Sequence, residues 1–280
     1  MATAALQDLM DEMQVNSVPF DGGHVTWRCL GEGPTLVLLH GGHGSWAHWV
    51  RNVDALSKHH RVCVADLPGY GDSSASTLPT LASLLDATRQ TLDALVGADT
   101  PIALAGFSFG GLVAARLAAL RGCVSALALL GPAGHGGPRR PRGELRSWRE
   151  ALASRDEAAL REIMRHNLQL HMLAEPADEQ ALVIHTQACL RTRFHSKSIS
   201  RAGGLADSLR ALTCPVLLVW GEHDVTATPR ELAPQLAAQC KHAGTEVLPN
   251  AGHWVQYEAA EPVNDLLTNW FAQPGSASGR

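Results

Sequence analysis

Seven short apolar runs recur along the chain, each bounded by turn residues, with helix-like stretches between them. The runs are Val25–Leu30, Thr35–His40, Arg61–Asp66, Pro101–Phe107, Val124–Leu130, Pro215–Gly221 and Thr245–Pro249. Most are rich in Val, Leu or Ala without alternation, as strands buried on both faces should be. The stretch Leu78–Val96 carries Leu81, Leu84, Leu85, Thr88, Leu92 and Leu95 at helical spacing. Ser108–Arg121, Arg230–His242 and Glu258–Phe271 read as further helices. Alternation of this kind implies an α/β fold with a mostly parallel central sheet flanked by helices. The 280 residues are enough for one large domain or two small ones.

Residues 134–205 break the rhythm. They open on Gly134, Gly136, Gly137, Pro138 and Pro141, then show helical patterns at Glu144–Ala153, Glu157–Met172 and Asp178–Arg193 without a clear strand. We read them as a helical insertion into one domain built from residues 1–133 and 206–280. The insertion carries 12 Lys+Arg against 8 Asp+Glu, whereas the remainder carries 11 against 19. The formal net charge of -4 therefore hides a basic segment in an acidic protein.

A net charge that small gives no electrostatic case for nucleic acid. The sequence has no apolar run of about 18 residues, so no membrane partner is expected. Met1–Met13 shows no secretory pattern. The six cysteines are scattered with no CxxC pair, which argues against a zinc ribbon or a redox dithiol and fits reduced thiols in a cytoplasmic protein. No metal and no cofactor is expected, and the oligomeric state is open, with a homo-oligomer one possibility. No internal repeat is visible, and the Pro274–Arg280 tail is small and polar and reads as mobile.

The chemistry is announced by Gly106-Phe107-Ser108-Phe109-Gly110, a G-x-S-x-G that follows a predicted strand and opens a predicted helix. In that context the glycines permit a sharp turn and the serine hydroxyl projects at the strand end. The blander reading is a structural turn. A serine hydroxyl is a weak nucleophile and needs a base oriented by a carboxylate. Asp224, in Gly221-Glu222-His223-Asp224, and His253, in Ala251-Gly252-His253-Trp254, both follow strands and fall on the same sheet edge as Ser108. Glu222 is a rival acid, His223 a lesser candidate, and Asp66 reads as a structural turn residue. Two backbone N–H groups should form an oxyanion hole: Phe109, after the nucleophile, and Gly42, in His40-Gly41-Gly42-His43-Gly44. This glycine cluster lacks the lysine of a phosphate loop. Gly41, His43 and Trp254 are candidate substrate contacts, and Phe107, Phe109 and Trp46 could wall an apolar site. Arg193 or Arg191, late in the insertion, could hold a substrate carboxylate, while Arg139, Arg140 and Arg142 read as an exposed hinge.

The chain resembles the α/β-hydrolase superfamily through His40-Gly41-Gly42, the Asp66–Ser73 turn, Gly106–Gly110, Gly221–Asp224 and Gly252-His253, which together span about 34–260. The resemblance implies the α/β-hydrolase fold, a helical cap at residues 134–205 and catalytic roles for Ser108, Asp224 and His253. Arg51-Asn52 and Gly252-His253-Trp254-Val255-Gln256 are similar to the meta-cleavage-product hydrolases, which split C–C bonds of dienoic diketo acids. That group typically has Asn and Met where Phe107 and Phe109 stand here, and Gly-Pro where His43 and Gly44 stand. Ester hydrolysis asks less of a site, so a carboxylesterase acting on a small molecule, one that could carry a carboxylate, is the first expectation and C–C hydrolysis the second. Relatives with an aspartate nucleophile are excluded by Ser108. Cofactor-free haloperoxidases and hydroxynitrile lyases share the triad and stay as minor options. A ligand-binding receptor on the same fold is the alternative outside enzymology.

Overall fold

The computed structural model describes residues 4–75 and 79–272. Leu78, where the first predicted helix begins, and the Pro274–Arg280 tail lie outside the described residues.

The strands are β1 (Gln14–Phe20), β2 (Gly23–Leu30), β3 (Thr35–Leu39), β4 (Arg61–Asp66), β5 (Ile102–Phe107), β6 (Val124–Leu130), β7 (Val216–Gly221) and β8 (Ala243–Leu248). They form one sheet in the order β1-β2-β4-β3-β5-β6-β7-β8. From β4 through β3 to β8 every pairing is parallel, while β1–β2 and β2–β4 are antiparallel. The sheet is thus mostly parallel, as the alternation predicts. β3, β5 and β7 are buried along their whole length, which explains their unbroken apolar composition. Neighbouring residues serve opposite faces: Leu36, Leu38, Val62 and Val64 belong to one core cluster, and Val37, Leu39, Cys63 and Ala65 to the other. Each fully buried leucine or valine of this kind stabilises the fold by about 1.5–3 kcal/mol relative to exposure.

The helices are α1 (Ala4–Glu12), α2 (Val53–Ser57), α3 (Leu81–Val96), α4 (Phe109–Arg121), α5 (Arg149–Ser154), α6 (Glu157–His171), α7 (Glu179–Leu190), α8 (Lys197–Arg201), α9 (Leu205–Ala211), α10 (Pro229–Ala237), α11 (Val255–Glu258) and α12 (Ala260–Ala272). α3 starts on a capping box in which Thr80 and Ser83 satisfy each other's backbone N–H. α4 is buried on nearly all sides, as a helix rich in Ala and Leu all round must be. Five helices, α5 to α9, lie between β6 and β7, with no strand among the described residues there.

Three expectations need correction. Residues 144–148 are not helical, and α5 begins at Arg149. The single helix predicted over Glu258–Phe271 is divided at Ala259 into α11 and α12. The antiparallel strand β1 and the helix α1 were not predicted. β1 is a half-exposed edge strand containing Pro19, so neither burial nor alternation marks it clearly.

Candidate active site

β5 ends at Phe107 and α4 begins at Phe109, so Ser108 alone makes the turn between them. Its backbone sits at φ 52°, ψ −117°, in the region that side chains rarely adopt. The neighbours that allow this have no side chain. A Cβ on Gly110 would lie 2.3 Å from the His40 carbonyl oxygen, and one on Gly106 would lie 2.3 Å from that of Gly110. The Ser108 N–H donates to the Leu130 carbonyl at 2.9 Å, and its own carbonyl accepts from Gly111 and Ala133 at 2.9 Å. The turn is held from both sides.

His253 follows β8 and brings Nε2 to 2.9 Å from the Ser108 Oγ. Its Nδ1 lies 2.8 Å from Oδ2 of Asp224, which follows β7. An ionised carboxylate can only accept, so Nδ1 carries the ring proton and Nε2 is left to accept from the serine hydroxyl. The second oxygen of Asp224 accepts from the Thr226 N–H and hydroxyl, both at 2.7 Å. Asp224 is fully buried. Burial alone would raise its carboxyl, but the neighbouring His253 charge and the bonds from His253 and Thr226 outweigh burial and hold it below the usual carboxylate range. Thr226 was not predicted. Its signal was available, since a side chain two residues after an aspartate is placed to close an Asx turn.

The loop after β3 is organised by histidines. His40 donates from Nδ1 to the Gly41 carbonyl at 2.7 Å and accepts the Leu67 N–H on Nε2 at 2.9 Å. The Gly41 N–H donates to His48 Nδ1 at 3.2 Å, so it is engaged within the protein. Gly42 and His43 line the cavity that contains Ser108, and Gly41 does not. A Cβ on Gly42 would lie 2.6 Å from the Ser196 Oγ, so a side chain there would have to displace that hydroxyl. Phe109 is the first residue of α4, so no carbonyl of its own helix is available to its N–H.

The cavity has a volume of about 310 Å³ and contains Ser108, His253 and Phe107 from the sheet side. Residues between β6 and β7 supply most of the remaining wall, including Trp148, His171, Met172 and His185. His171 lies with its ring 5.6 Å from that of His253. Burial, reinforced by His253 and Arg142, holds His171 well below the ordinary histidine range. Burial and His43 bring His185 down to about 4. Both rings are therefore neutral at pH 7. These side chains escaped the sequence reading because helical periodicity marks a buried face without saying what it faces.

Several predicted contacts fall elsewhere. Trp254 is fully buried, donates to the His48 carbonyl at 2.9 Å and stacks on Tyr257 at 4.2 Å, outside the cavity. Arg193 donates to the carbonyls of Gly71 and Ser73, and Arg191 pairs with Asp72 at 2.8 Å. Neither arginine reaches the cavity, so neither can hold a substrate there. Phe109 packs behind the site against Phe194, and Trp46 lies under the Arg28 guanidinium. Arg139 and Arg142, read as an exposed hinge, are half-buried and line the cavity, while Arg140 donates to the Glu222 carbonyl at 2.7 Å. Glu222 pairs with Arg230 at 2.8 Å, away from His253. Asp66 holds the Trp46 N–H at 2.8 Å and Arg28 at 2.9 Å, a structural role.

Among the described residues no helix is long and apolar enough to cross a membrane. No group of three or more His, Cys, Asp or Glu among them is arranged to hold a metal ion.

Residues 36–266 match the alpha/beta hydrolase family. The chain is 28% identical over 256 residues to (E)-2-((N-methylformamido)methylene)succinate hydrolase of Acinetobacter baylyi, covering 86% of this chain and 91% of that protein. It is 28% identical over 255 residues to 2-hydroxy-6-oxononadienedioate/2-hydroxy-6-oxononatrienedioate hydrolase of Paraburkholderia phymatum, covering 85% and 87%. The solved structure of carboxylesterase CesB (YbfK) from Bacillus subtilis superposes with a TM-score of 0.76 at 20% identity, over 96% of each chain, a likeness of fold.

Proposed function

The chain is a hydrolase of the alpha/beta hydrolase family, and we propose that it cleaves small esters through an acyl-enzyme formed on Ser108. The observation that carries this reading is the continuous hydrogen-bonded series Ser108–His253–Asp224, which opens into a cavity sized for a small molecule. His253 removes the Ser108 proton as Oγ attacks the ester carbonyl carbon. Asp224 keeps the ring in the tautomer that can accept this proton and stabilises the imidazolium. The N–H groups of Gly42 and Phe109 receive the negative charge that develops on the carbonyl oxygen. α4 assists because its N-terminus points at that charge. The imidazolium then protonates the departing alcohol. A water molecule, activated by the neutral ring, cleaves the acyl-enzyme and restores the serine.

Ser108→Ala keeps the fold and removes the nucleophile. Turnover of p-nitrophenyl acetate should fall by about 10⁴-fold or more, and labelling by a fluorophosphonate should disappear. A Ser108→Ala protein that retained full esterase activity would refute the assignment.

A second reading is hydrolysis of a C–C bond in a dienoate, and the relative from Paraburkholderia phymatum, named for a dienedioate, favours it. A panel of short esters, aromatic esters and a ring-fission dienoate separates the two. Turnover of the dienoate at least tenfold above every ester would replace the first reading with the second.

A further inference from the structure

The cavity beside Ser108 carries four cationic side chains, Arg139, Arg142, Lys197 and Arg201, and no aspartate or glutamate among its described lining residues. All four belong to the segment between β6 and β7. That segment does not lack carboxylates. They neutralise other arginines on its outer side: Arg146 pairs with Glu162 and Arg161 with Glu179. None of the four cations that face the cavity forms an ion pair among the described residues.

Arg139 and Arg142 are half-buried, whereas Lys197 and Arg201 stand at the exposed side. Burial and the repulsion of Arg201 lower both inner guanidiniums from their ordinary value, so each is held against its own preference for water and counter-charge. Asp224 is felt by Arg139, but its oxygens are already occupied by His253 and Thr226. His171, His185 and His43 also line the cavity, and burial keeps all three toward the neutral form, so none offsets or shares the arginine charge. A half-buried charge without a partner is costly. Such charges converging beside a nucleophile point to a counter-charge that arrives with the substrate.

We propose that the substrate is an ester whose far end carries a carboxylate, gripped by Arg139 and Arg142 with Arg201 and Lys197 guiding its entry. This rests on the serine-hydrolase reading above and moves the anion site from Arg191 and Arg193 to the opposite end of the inserted segment. The planar guanidinium fork matches a carboxylate in two-point geometry. A cavity of about 310 Å³ suits the half-ester of a short diacid.

The test compares methyl half-esters of succinic, glutaric and adipic acid with neutral methyl esters of matched chain length. Wild-type kcat/KM should favour the half-esters by about tenfold or more at low ionic strength, and the preference should shrink as salt rises. Arg139→Gln and Arg142→Gln should each reduce that preference about tenfold, while Arg146→Gln on the outer surface should preserve it. Equal or better turnover of the neutral esters by the wild type, or an unchanged preference in both cavity variants, would overturn the proposal. Calorimetric titration of glutarate into the protein asks the same question without turnover, and Arg139→Gln should weaken that binding about tenfold. Inorganic phosphate that displaced glutarate at equal concentration would overturn the carboxylate assignment. If neither ester is cleaved and Ser108 resists a fluorophosphonate, the serine-hydrolase reading fails, and the glutarate titration still decides the anion site.

Discussion

Ser108 holds a side chain at φ 52°, and such a backbone persists only where its surroundings impose it. Here they are the bonds to Leu130, Gly111 and Ala133 and the close passage of Gly106 and Gly110. The strain can be separated from the chemistry by two substitutions that both remove the hydroxyl. Ser108→Gly relieves the backbone, and Ser108→Ala does not. The glycine variant should therefore be the more stable of the two by about 1 kcal/mol in urea titrations, although glycine's greater freedom in the unfolded chain takes back part of the gain. A glycine variant less stable than the alanine variant would mean that the turn is unstrained. At this scale Ser108, Asp224 and His253 were legible because each follows a strand in a short loop whose direction the sheet determines. Trp254 was not. The residue beside His253 turns inward onto Tyr257 and donates to the His48 carbonyl, a partner 206 residues away in sequence.

Two of the helices between β6 and β7, α6 and α7, begin on aspartates that do the same local work with different consequences. Asp156 accepts the Ala159 N–H at 2.9 Å and caps α6. Asp178 accepts the Ala181 N–H at 2.7 Å and caps α7, but it also pairs with Arg51 at 2.7 Å and accepts the Tyr257 hydroxyl at 2.7 Å. Arg51 stacks on the Tyr257 ring at 3.7 Å, and Tyr257 lies four residues after His253. One aspartate thus starts a helix and ties the inserted segment to α11, the helix that closely follows His253. Asp156→Ala should cost about 1 kcal/mol, the worth of a cap. Asp178→Ala should cost about 1 kcal/mol more, an increment kept small because the Arg51 pair is partly exposed. Denaturant titration of both variants checks the difference, and identical losses would show that the link to Arg51 and Tyr257 adds nothing. The positions of α6 and α7 were readable from their helical patterns, whereas α8 and α9 were not predicted. Which arginines they turn toward the cavity was not, because that depends on how the segment lies against the sheet edge. Arg139 in a Gly- and Pro-rich stretch looked exposed, and Arg193 near the end of a helix looked available, yet packing reverses both.

Across the whole molecule, the buried histidines tie stability to pH. His48, His171 and His185 are enclosed, and burial is the largest cause holding each below its ordinary value of 6.5. In the unfolded chain the same rings titrate near 6.5, so below that pH the unfolded state binds protons that the folded state refuses. Folding stability is therefore fully present above 6.5 and declines as pH falls below it. Each such ring removes about 1.4 kcal/mol per pH unit once the unfolded form is protonated. Three acting together give a slope approaching about 4 kcal/mol per unit, which ends as each ring reaches its own folded value, for His185 about 4. Asp224 contributes nothing to this window. Its carboxyl lies below the usual 3.8, so the stability it supplies is lost only in stronger acid. Urea titrations at pH 7.5, 6.5 and 5.5 should show a steep loss over the last interval, and His185→Gln should reduce that slope by up to about 1.4 kcal/mol per unit. A stability that stayed level from 7.5 to 5.5 would mean that these rings take up protons within the fold. That result would also weaken the case that the cavity is poor in counter-charge, because protonated His171 and His185 would need an anion already beside them.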